Sequence, residues 1–137
     1  MTLRLTLDVE PADEYDDVNL VPALHNDGDE AVTFSTPDAS VFTVEALDPD
    51  GNPINGLDSG LAAQVCSEWV VEPGDALTRT LTWHSKGMYE ALPADHDVDN
   101  MWEDFPEDYG EIEVTVAVRS GDEAVSDLTL TERVELP

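Results

Sequence analysis

Apolar and polar side chains alternate with a period of two along most of this chain, and this pattern constrains the fold more than any other feature. Residues 3–9 place four leucine or valine side chains on one side of an extended backbone, and residues 111–119 repeat the arrangement with isoleucine and valine. Alternation of this kind is typical of β-strands with one buried face. Further runs that suit strands lie at residues 18–25, 32–35, 41–47, 68–71, 77–83 and 124–136.

Turn-forming residues separate these runs. Glycine, proline, asparagine and aspartate are concentrated at residues 26–29, 48–53 and 72–75, and such clusters favour tight turns. About eight short strands joined by turns predict an all-β protein, built as a sandwich or a barrel, with residues 1–137 forming one domain. Pro22 has no N–H to donate, so its strand is expected at a sheet edge or with a bulge.

The charge is extreme. The chain has 32 acidic residues against five lysines and arginines, which gives a formal net charge of −27. Self-repulsion of this size destabilises a compact state in dilute buffer, and molar salt screens it. The composition therefore predicts a halophilic protein with a carboxylate-covered surface. The alternative is a surface that binds a basic partner or divalent cations. Nucleic acid is excluded as a partner because its binding needs clustered lysine and arginine.

Cysteine content and hydropathy indicate whether the protein forms disulfides and whether it associates with a membrane. Cys66 is the only cysteine, so no intrachain disulfide can form, and its apolar neighbourhood predicts a small core residue rather than a nucleophile. No apolar stretch is long enough for a membrane span, so we expect no membrane association. The first residues alternate instead of forming the basic and apolar regions of a signal peptide, so we expect either a cytoplasmic protein or one whose leader has been removed, and we favour the cytoplasm. We also expect a monomer.

Residues 85–110 form a long acidic segment that interrupts the strand pattern. A segment of this length inside a compact domain is usually functional, disordered or partly helical. The main interpretation of its methionine and aromatic side chains is that they fold the segment back onto the sheet. The alternative is an exposed partner-binding patch, because such side chains are enriched at protein interfaces, and this patch would be the contact surface of a binding module. Trp69 and Trp83, by contrast, lie in strand patterns and are expected in the core. The predicted patch comprises Met88, Tyr89, Met101, Trp102 and Phe105.

The same segment contains a weak calcium signal. Asp95, Asp97 and Asp99 have the spacing of the first three ligands in an EF-hand loop, and Glu103 could add an oxygen. Asn100 stands where such a loop needs glycine, and Pro106 where it needs a bidentate glutamate. A solvated acidic loop is the main interpretation, and a Ca²⁺ site is the alternative. No other cofactor is predicted.

No catalytic motif is present. His25, His84 and His96 are scattered, and the chain has no nucleophile elbow, phosphate-binding loop or metalloprotease motif. We therefore predict no catalytic residues and a protein that is not an enzyme.

The order of short motifs resembles the intracellular proteinase inhibitor (BsuPI-type) family. Residues 26–34, Asn-Asp-Gly-Asp-Glu-Ala-Val-Thr-Phe, are similar to its "N-x-G/S-D/E-x-P/A-V-T-L/F" segment, and residues 42–44 and 50–54 to the hairpin that follows. Glu-Pro-Gly-Asp at 72–75 with Leu-Thr-Trp at 81–83 resembles its "L-x-P-G-E…W" stretch, and 109–118 stand near its final strand. Residues 85–108 are an insertion relative to that family.

The resemblance implies an immunoglobulin-like sandwich, a cytoplasmic setting and inhibition of a serine protease. It assigns no inhibitory residue. We therefore expect a single immunoglobulin-like antiparallel β-sandwich that serves as a non-enzymatic protein-binding module, with proteinase inhibition as its implied activity. The alternative from a different class is a calcium-stabilised structural or adhesion-type domain.

Overall fold

The computed structural model describes residues 2–12, 17–37, 40–54, 57–58, 66–85 and 105–136, with the backbone alone at 57–58. These residues form ten strands and one short 3-10 turn at Pro106–Asp108. The strands are β1 (Leu3–Pro11), β2 (Val18–Asn26), β3 (Val32–Thr36), β4 (Phe42–Leu47), β5 (Leu57–Asp58), β6 (Ser67–Val71), β7 (Ala76–Thr78), β8 (Leu81–Trp83), β9 (Glu111–Val118) and β10 (Thr129–Glu135). The prediction of an all-β protein is confirmed.

The strands form three antiparallel sheets. The largest has the order β1-β2-β8-β5, and β7 pairs with β2 beside β8. A second sheet has the order β10-β9-β4, and β3 pairs with β6 in a two-stranded ribbon. Every described strand pair is antiparallel. Most neighbours in these sheets are distant in sequence, so long-range packing selects them.

One continuous core joins the sheets. Ile112, Val114, Val116 and Val118 of β9 are buried in it, as their alternation predicts, and Leu5 and Leu7 of β1 belong to the same core. Burying a valine or leucine side chain contributes roughly 1.5–3 kcal/mol. A core shared by strands of different sheets is consistent with a β-sandwich.

The two tryptophans predicted for the core differ in burial. Trp83 on β8 is fully buried, which confirms the prediction, and Trp69 on β6 is only half-buried against the core. Trp69 donates its indole N–H to the hydroxyl of Thr36 at 2.9 Å. Its polar edge is therefore bonded while part of its ring stays accessible.

Pro22 lies in a central strand, which corrects the expectation of an edge or a bulge. β2 pairs with β1 along its whole length, and on its other side with β8 at residues 18–20 and with β7 at residues 23–25. The carbonyl of Pro22 accepts the N–H of Arg79 at 3.2 Å, so its backbone faces the interruption between β7 and β8. Because the β7 and β8 ladders both stop at that interruption, neither requires an N–H from residue 22, and the missing donor is tolerated there.

Cys66 is exposed, which corrects the prediction of a core cysteine. It directly precedes β6 and lies outside the alternating part of that strand. The apolar run around it therefore gave a wrong indication of burial.

The acidic side chains cover the surface. Among the side chains that the structure describes, Asp17 is the single buried carboxylate, Asp48, Glu113 and Glu132 are half-buried, and the others are exposed. None of the described residues belongs to a helix with the length and hydropathy of a membrane span.

Candidate functional site

Most of the residues predicted to bind a partner lie outside the described part of the chain. These are Met88, Tyr89, Met101 and Trp102. The four residues of the calcium alternative also lie outside it, namely Asp95, Asp97, Asp99 and Glu103. Both interpretations stay predictions. Among the remaining residues, no group of three or more histidine, cysteine or carboxylate side chains could hold a metal ion.

Phe105 is the one residue of the predicted patch that the structure describes, and it is 8% exposed. Its side chain is therefore buried and is not an exposed anchor, which corrects its assignment. Tyr109, four residues further on, packs against the core, and its ring lies 5.6 Å from the Trp83 ring between centroids. For this end of the acidic segment, folding back onto the sheet is the better description.

The buried Asp17 and the half-buried His84 form a polar cluster that the sequence did not reveal. Nδ1 of His84 lies 3.0 Å from Oδ2 of Asp17, and Oδ1 of Asp17 accepts the backbone N–H of Ser85 at 2.6 Å. Asp17 precedes β2, and His84 and Ser85 follow β8. Because both carboxylate oxygens bond to the β8 end, the cluster fastens these two strand ends together. One buried aspartate among so many acidic residues has no sequence signal that distinguishes it.

His25 also has a structural contact. Its Nε2 lies 2.8 Å from the hydroxyl of Thr6 on the neighbouring strand, where a cross-strand pair stabilises the sheet. His96 lies outside the described residues.

The motif residues around Asn26 meet those around Gly74. The side-chain amide of Asn26 donates to the carbonyl oxygens of Glu30 at 2.7 Å and Val71 at 2.9 Å. The backbone carbonyl of Asn26 accepts the N–H of Gly74 at 2.8 Å. Gly74 has a φ of 83°, a left-handed conformation that favours glycine. Two segments of the family resemblance, 26–34 and 72–75, thus join in one hydrogen-bonded corner, and their shared residues have a structural role.

The β3–β6 ribbon has a buried face and an exposed face. Phe34 pairs with Trp69 on the inner face, while Thr33 pairs with Val70 and Ser35 with Glu68 on the outer face. Val70 is 56% exposed and is the single exposed large hydrophobic residue among the described side chains.

The outer edge of β3 is capped at Ser35. Oδ2 of Asp122 accepts the backbone N–H of Ser35 at 2.7 Å, and the hydroxyl of Ser120 donates to the Ser35 carbonyl at 2.6 Å. These two side chains occupy the donor and acceptor that another strand would use. Proteins protect sheet edges from unwanted pairing with devices of this kind.

The outer edge of β6 has no such cap among the described residues. In an antiparallel pair, residues opposite each other either exchange both backbone bonds or neither. Ser35 directs its backbone bonds to Ser120 and Asp122, so the Ser35–Glu68 pair is of the second kind, as is the Thr33–Val70 pair two residues away. The N–H and C=O groups of Glu68 and Val70 therefore point away from β3, and no described strand pairs with them.

Arg79 supports the ribbon from its inner side. Its guanidinium lies 4.7 Å from the centroid of the Trp69 ring, within the range of a cation–π contact. The indole is thus held both by Arg79 and by the hydrogen bond to Thr36, which keeps β6 in a defined position.

A small cleft lies elsewhere, between the turn after β4 and the paired ends of β9 and β10. Its volume is about 210 Å³, and its lining includes Asp48, Glu111, Glu113 and Arg133. A guanidinium nitrogen of Arg133, Nη1, lies 3.6 Å from the carboxylate oxygen Oε1 of Glu111. Small-molecule sites usually measure roughly 300–1,000 Å³ and are mainly apolar, so this charged cleft is a poor candidate for one.

No protein-family model matches the chain, and no curated protein matches it significantly. Among the described residues, the best-defined candidate site is the outer edge of β6, with which no described strand pairs and which carries the exposed side chains of Glu68 and Val70.

Proposed function

We propose that the protein is a non-enzymatic, protein-binding module with an immunoglobulin-like sandwich fold that works at high salt. The observation that supports binding most directly is the contrast between the two edges of the β3–β6 ribbon. The β3 edge is capped at Ser35 by Ser120 and Asp122, whereas the β6 edge presents the backbone groups of Glu68 and Val70 together with an exposed valine. Exposed backbone groups on a strand edge are a template for another chain.

The strand order supports the immunoglobulin-like part of the proposal. An immunoglobulin constant-type domain has sheets A-B-E-D and C-F-G. In this chain β1-β2-β8-β5 has the order A-B-E-D and β10-β9-β4 the order G-F-C, if β3, β6 and β7 are counted as additions. In this assignment Tyr109, just before β9, would lie at the E–F corner, where many such domains have a tyrosine.

Proteinase inhibition is the specific activity that the family resemblance favours. The resemblance rests on residues whose role is structural, such as Asn26 and Gly74, so it supports the fold more strongly than the partner. The proposed setting is the cytoplasm of a halophile. The acidic surface supports it, since Asp17 is the one carboxylate among the described side chains that is buried.

An inhibition titration tests the proposal. A subtilisin-type serine protease that stays active in concentrated KCl is titrated with the purified protein, and we expect stoichiometric inhibition at micromolar concentration. Heat-denatured protein is the control for competition by an ordinary substrate. Full protease activity at every protein concentration would remove the inhibitor assignment and leave the binding module to be tested at β6.

A further inference from the structure

We propose that the β6 edge binds one extended segment of a partner protein by strand addition, and that the segment carries an apolar residue opposite Val70 and a lysine or arginine opposite Glu68. This inference rests on the proposed binding function and specifies its site and the chemistry of its partner. An antiparallel added strand would present these side chains in the order apolar, any residue, basic.

The backbone supplies the affinity. Glu68 and Val70 each direct an N–H and a C=O away from β3, and they are two residues apart, as successive bonding positions on one strand edge are. Strand addition uses these groups for main-chain hydrogen bonds, and alternate side chains then provide specificity. On the β3 edge, the cap at Ser35 leaves only Thr33 in an equivalent position, so β3 is the weaker template.

The side chains define the partner. Side chains directly opposite across two strands lie about 5 Å apart, and opposite charges there are favourable. Glu68 and Val70 are both exposed on the outer face of the ribbon, so their partners share that face. Glu72, which follows β6, is also exposed and adds negative charge near the same edge. A basic residue opposite Glu68 and an apolar one opposite Val70 therefore match this surface.

A second copy of the chain fits less well. Each copy has a net charge of −27, and pairing of two β6 strands about Trp69 would place Glu68 opposite Val70 and no base opposite either glutamate. A partner segment with a basic residue satisfies both positions.

The test measures binding of a fluorescein-labelled peptide by anisotropy in about 1 M and about 3 M KCl. The peptide carries isoleucine, threonine and lysine in succession at its centre. One control peptide replaces lysine with glutamate, and another has N-methylated amides on alternate residues, which removes the strand's donors on one edge. We expect saturable binding of the first peptide, weaker binding of the glutamate peptide, and loss of binding for the N-methylated peptide. The preference for lysine should narrow at the higher salt because charge interactions are screened.

Two variants of Val70 test the backbone contribution. Val70→Pro removes an N–H that the β3 ladder does not use, so the domain should still fold while peptide binding weakens by about tenfold or more. Val70→Thr keeps that N–H and should weaken binding by only about two- to threefold. Cooperative thermal unfolding of each variant verifies that it is folded. If Val70→Pro does not fold, the N-methylated peptide tests the same hydrogen bonds on the wild-type protein.

A matched pair of charge reversals tests the partner's chemistry. Glu68→Lys should weaken binding of the lysine peptide by about two- to fivefold in about 1 M KCl and improve binding of the glutamate peptide. Glu135→Lys makes the same change of net charge at an exposed position on β10 and should change the binding affinity of neither peptide. Equal effects of the two reversals would overturn the assignment of Glu68.

Other outcomes overturn the inference directly. These are peptide binding that a folded Val70→Pro variant retains in full, equal binding of the N-methylated peptide, and a wild-type dimer in sedimentation equilibrium that Val70→Pro dissociates. Protease inhibition separates this inference from the proposed function. If wild type and Val70→Pro inhibit equally, the function stands and the β6 site is wrong.

Discussion

The side-chain amide of Asn26 donates a hydrogen bond of 2.9 Å to the carbonyl oxygen of Val71, and both residues are buried. The bond joins the end of β2 to the end of β6, 45 residues apart in the chain. It holds the ribbon that carries the proposed binding edge against the largest sheet.

Replacing Asn26 with alanine should therefore destabilise the domain. The change removes the donor to Val71 and Glu30 and the acceptor for the Gly28 N–H, and we expect the free energy of unfolding to fall by about 2–3 kcal/mol. Denaturant unfolding in concentrated KCl measures this change in the free energy of unfolding. Asn52→Ala, at an exposed turn position, is the matched control and should stay within about 0.5 kcal/mol of wild type. An equally small effect at Asn26 would contradict the structural role.

Asp17 should be a second sensitive position. Asp17→Ala leaves the buried N–H of Ser85 without its carboxylate acceptor and removes the partner of His84, so we expect a loss of about 1–3 kcal/mol. Asp17→Asn keeps one oxygen for Ser85 and should cost less. Asp8→Ala, an exposed aspartate, is the control. If all three variants unfold at the same denaturant concentration as wild type, the cluster does not fasten β2 to β8.

Stability should rise with salt. The net charge of −27 produces repulsion between exposed carboxylates, and the Debye length shortens from about 10 Å at 0.1 M salt to about 3 Å at 1 M. We expect Tm to increase strongly between these concentrations and to increase further toward saturation with KCl. A Tm that is the same at both concentrations would contradict the halophilic interpretation.

The Arg4–Asp27 ion pair gives a local pH-dependence. A hydrogen bond of 2.9 Å from Nε of Arg4 lowers the pKa of Asp27 below its ordinary value, and raises the pKa of Arg4. A depressed folded-state pKa means that the pair stabilises the fold above the ordinary aspartate pKa, and that this stabilisation is lost as the pH falls through the lowered value.

An NMR titration of the Asp27 carboxyl carbon measures that pKa. Arg4→Gln should return it toward the ordinary value, and Arg119→Gln, at another exposed arginine, should not move it. Because the pair is exposed, the difference should shrink in concentrated salt. An Asp27 pKa that is unchanged in Arg4→Gln would show that the ion pair does not form in solution.

Calcium provides a test between the proposed module and its alternative. The proposed module does not need the ion, so millimolar Ca²⁺ should shift Tm no more than the same concentration of Mg²⁺. A larger shift with Ca²⁺ that disappears when Asp95, Asp97 and Asp99 are changed to asparagine would favour the calcium-stabilised domain.

The local features of this protein follow from its sequence because they depend on near neighbours. Alternation in β9 places Ile112, Val114 and Val116 on one face of any strand they form, and the tight turn at Gly51 needs only its own φ of 86°. The exposed position of most acidic side chains follows in the same way, because burying an unpaired charge is costly. These features establish an acidic, all-β protein.

The candidate site depended on contacts between distant parts of the chain. The sequence of residues 68–71 suits a strand whether or not another strand covers β6. Nothing near Ser35 indicates that Ser120 and Asp122, 85 and 87 residues away, cap the edge of β3. The positions of Pro22 and Asp17 also depend on distant contacts. The interruption between β7 and β8 accommodates Pro22, and the backbone just after β8 binds Asp17. Strand pattern determined which face of each strand is buried, and only tertiary packing decided which edge stays open, because backbone groups on an edge are identical in every sequence until a neighbour pairs with them.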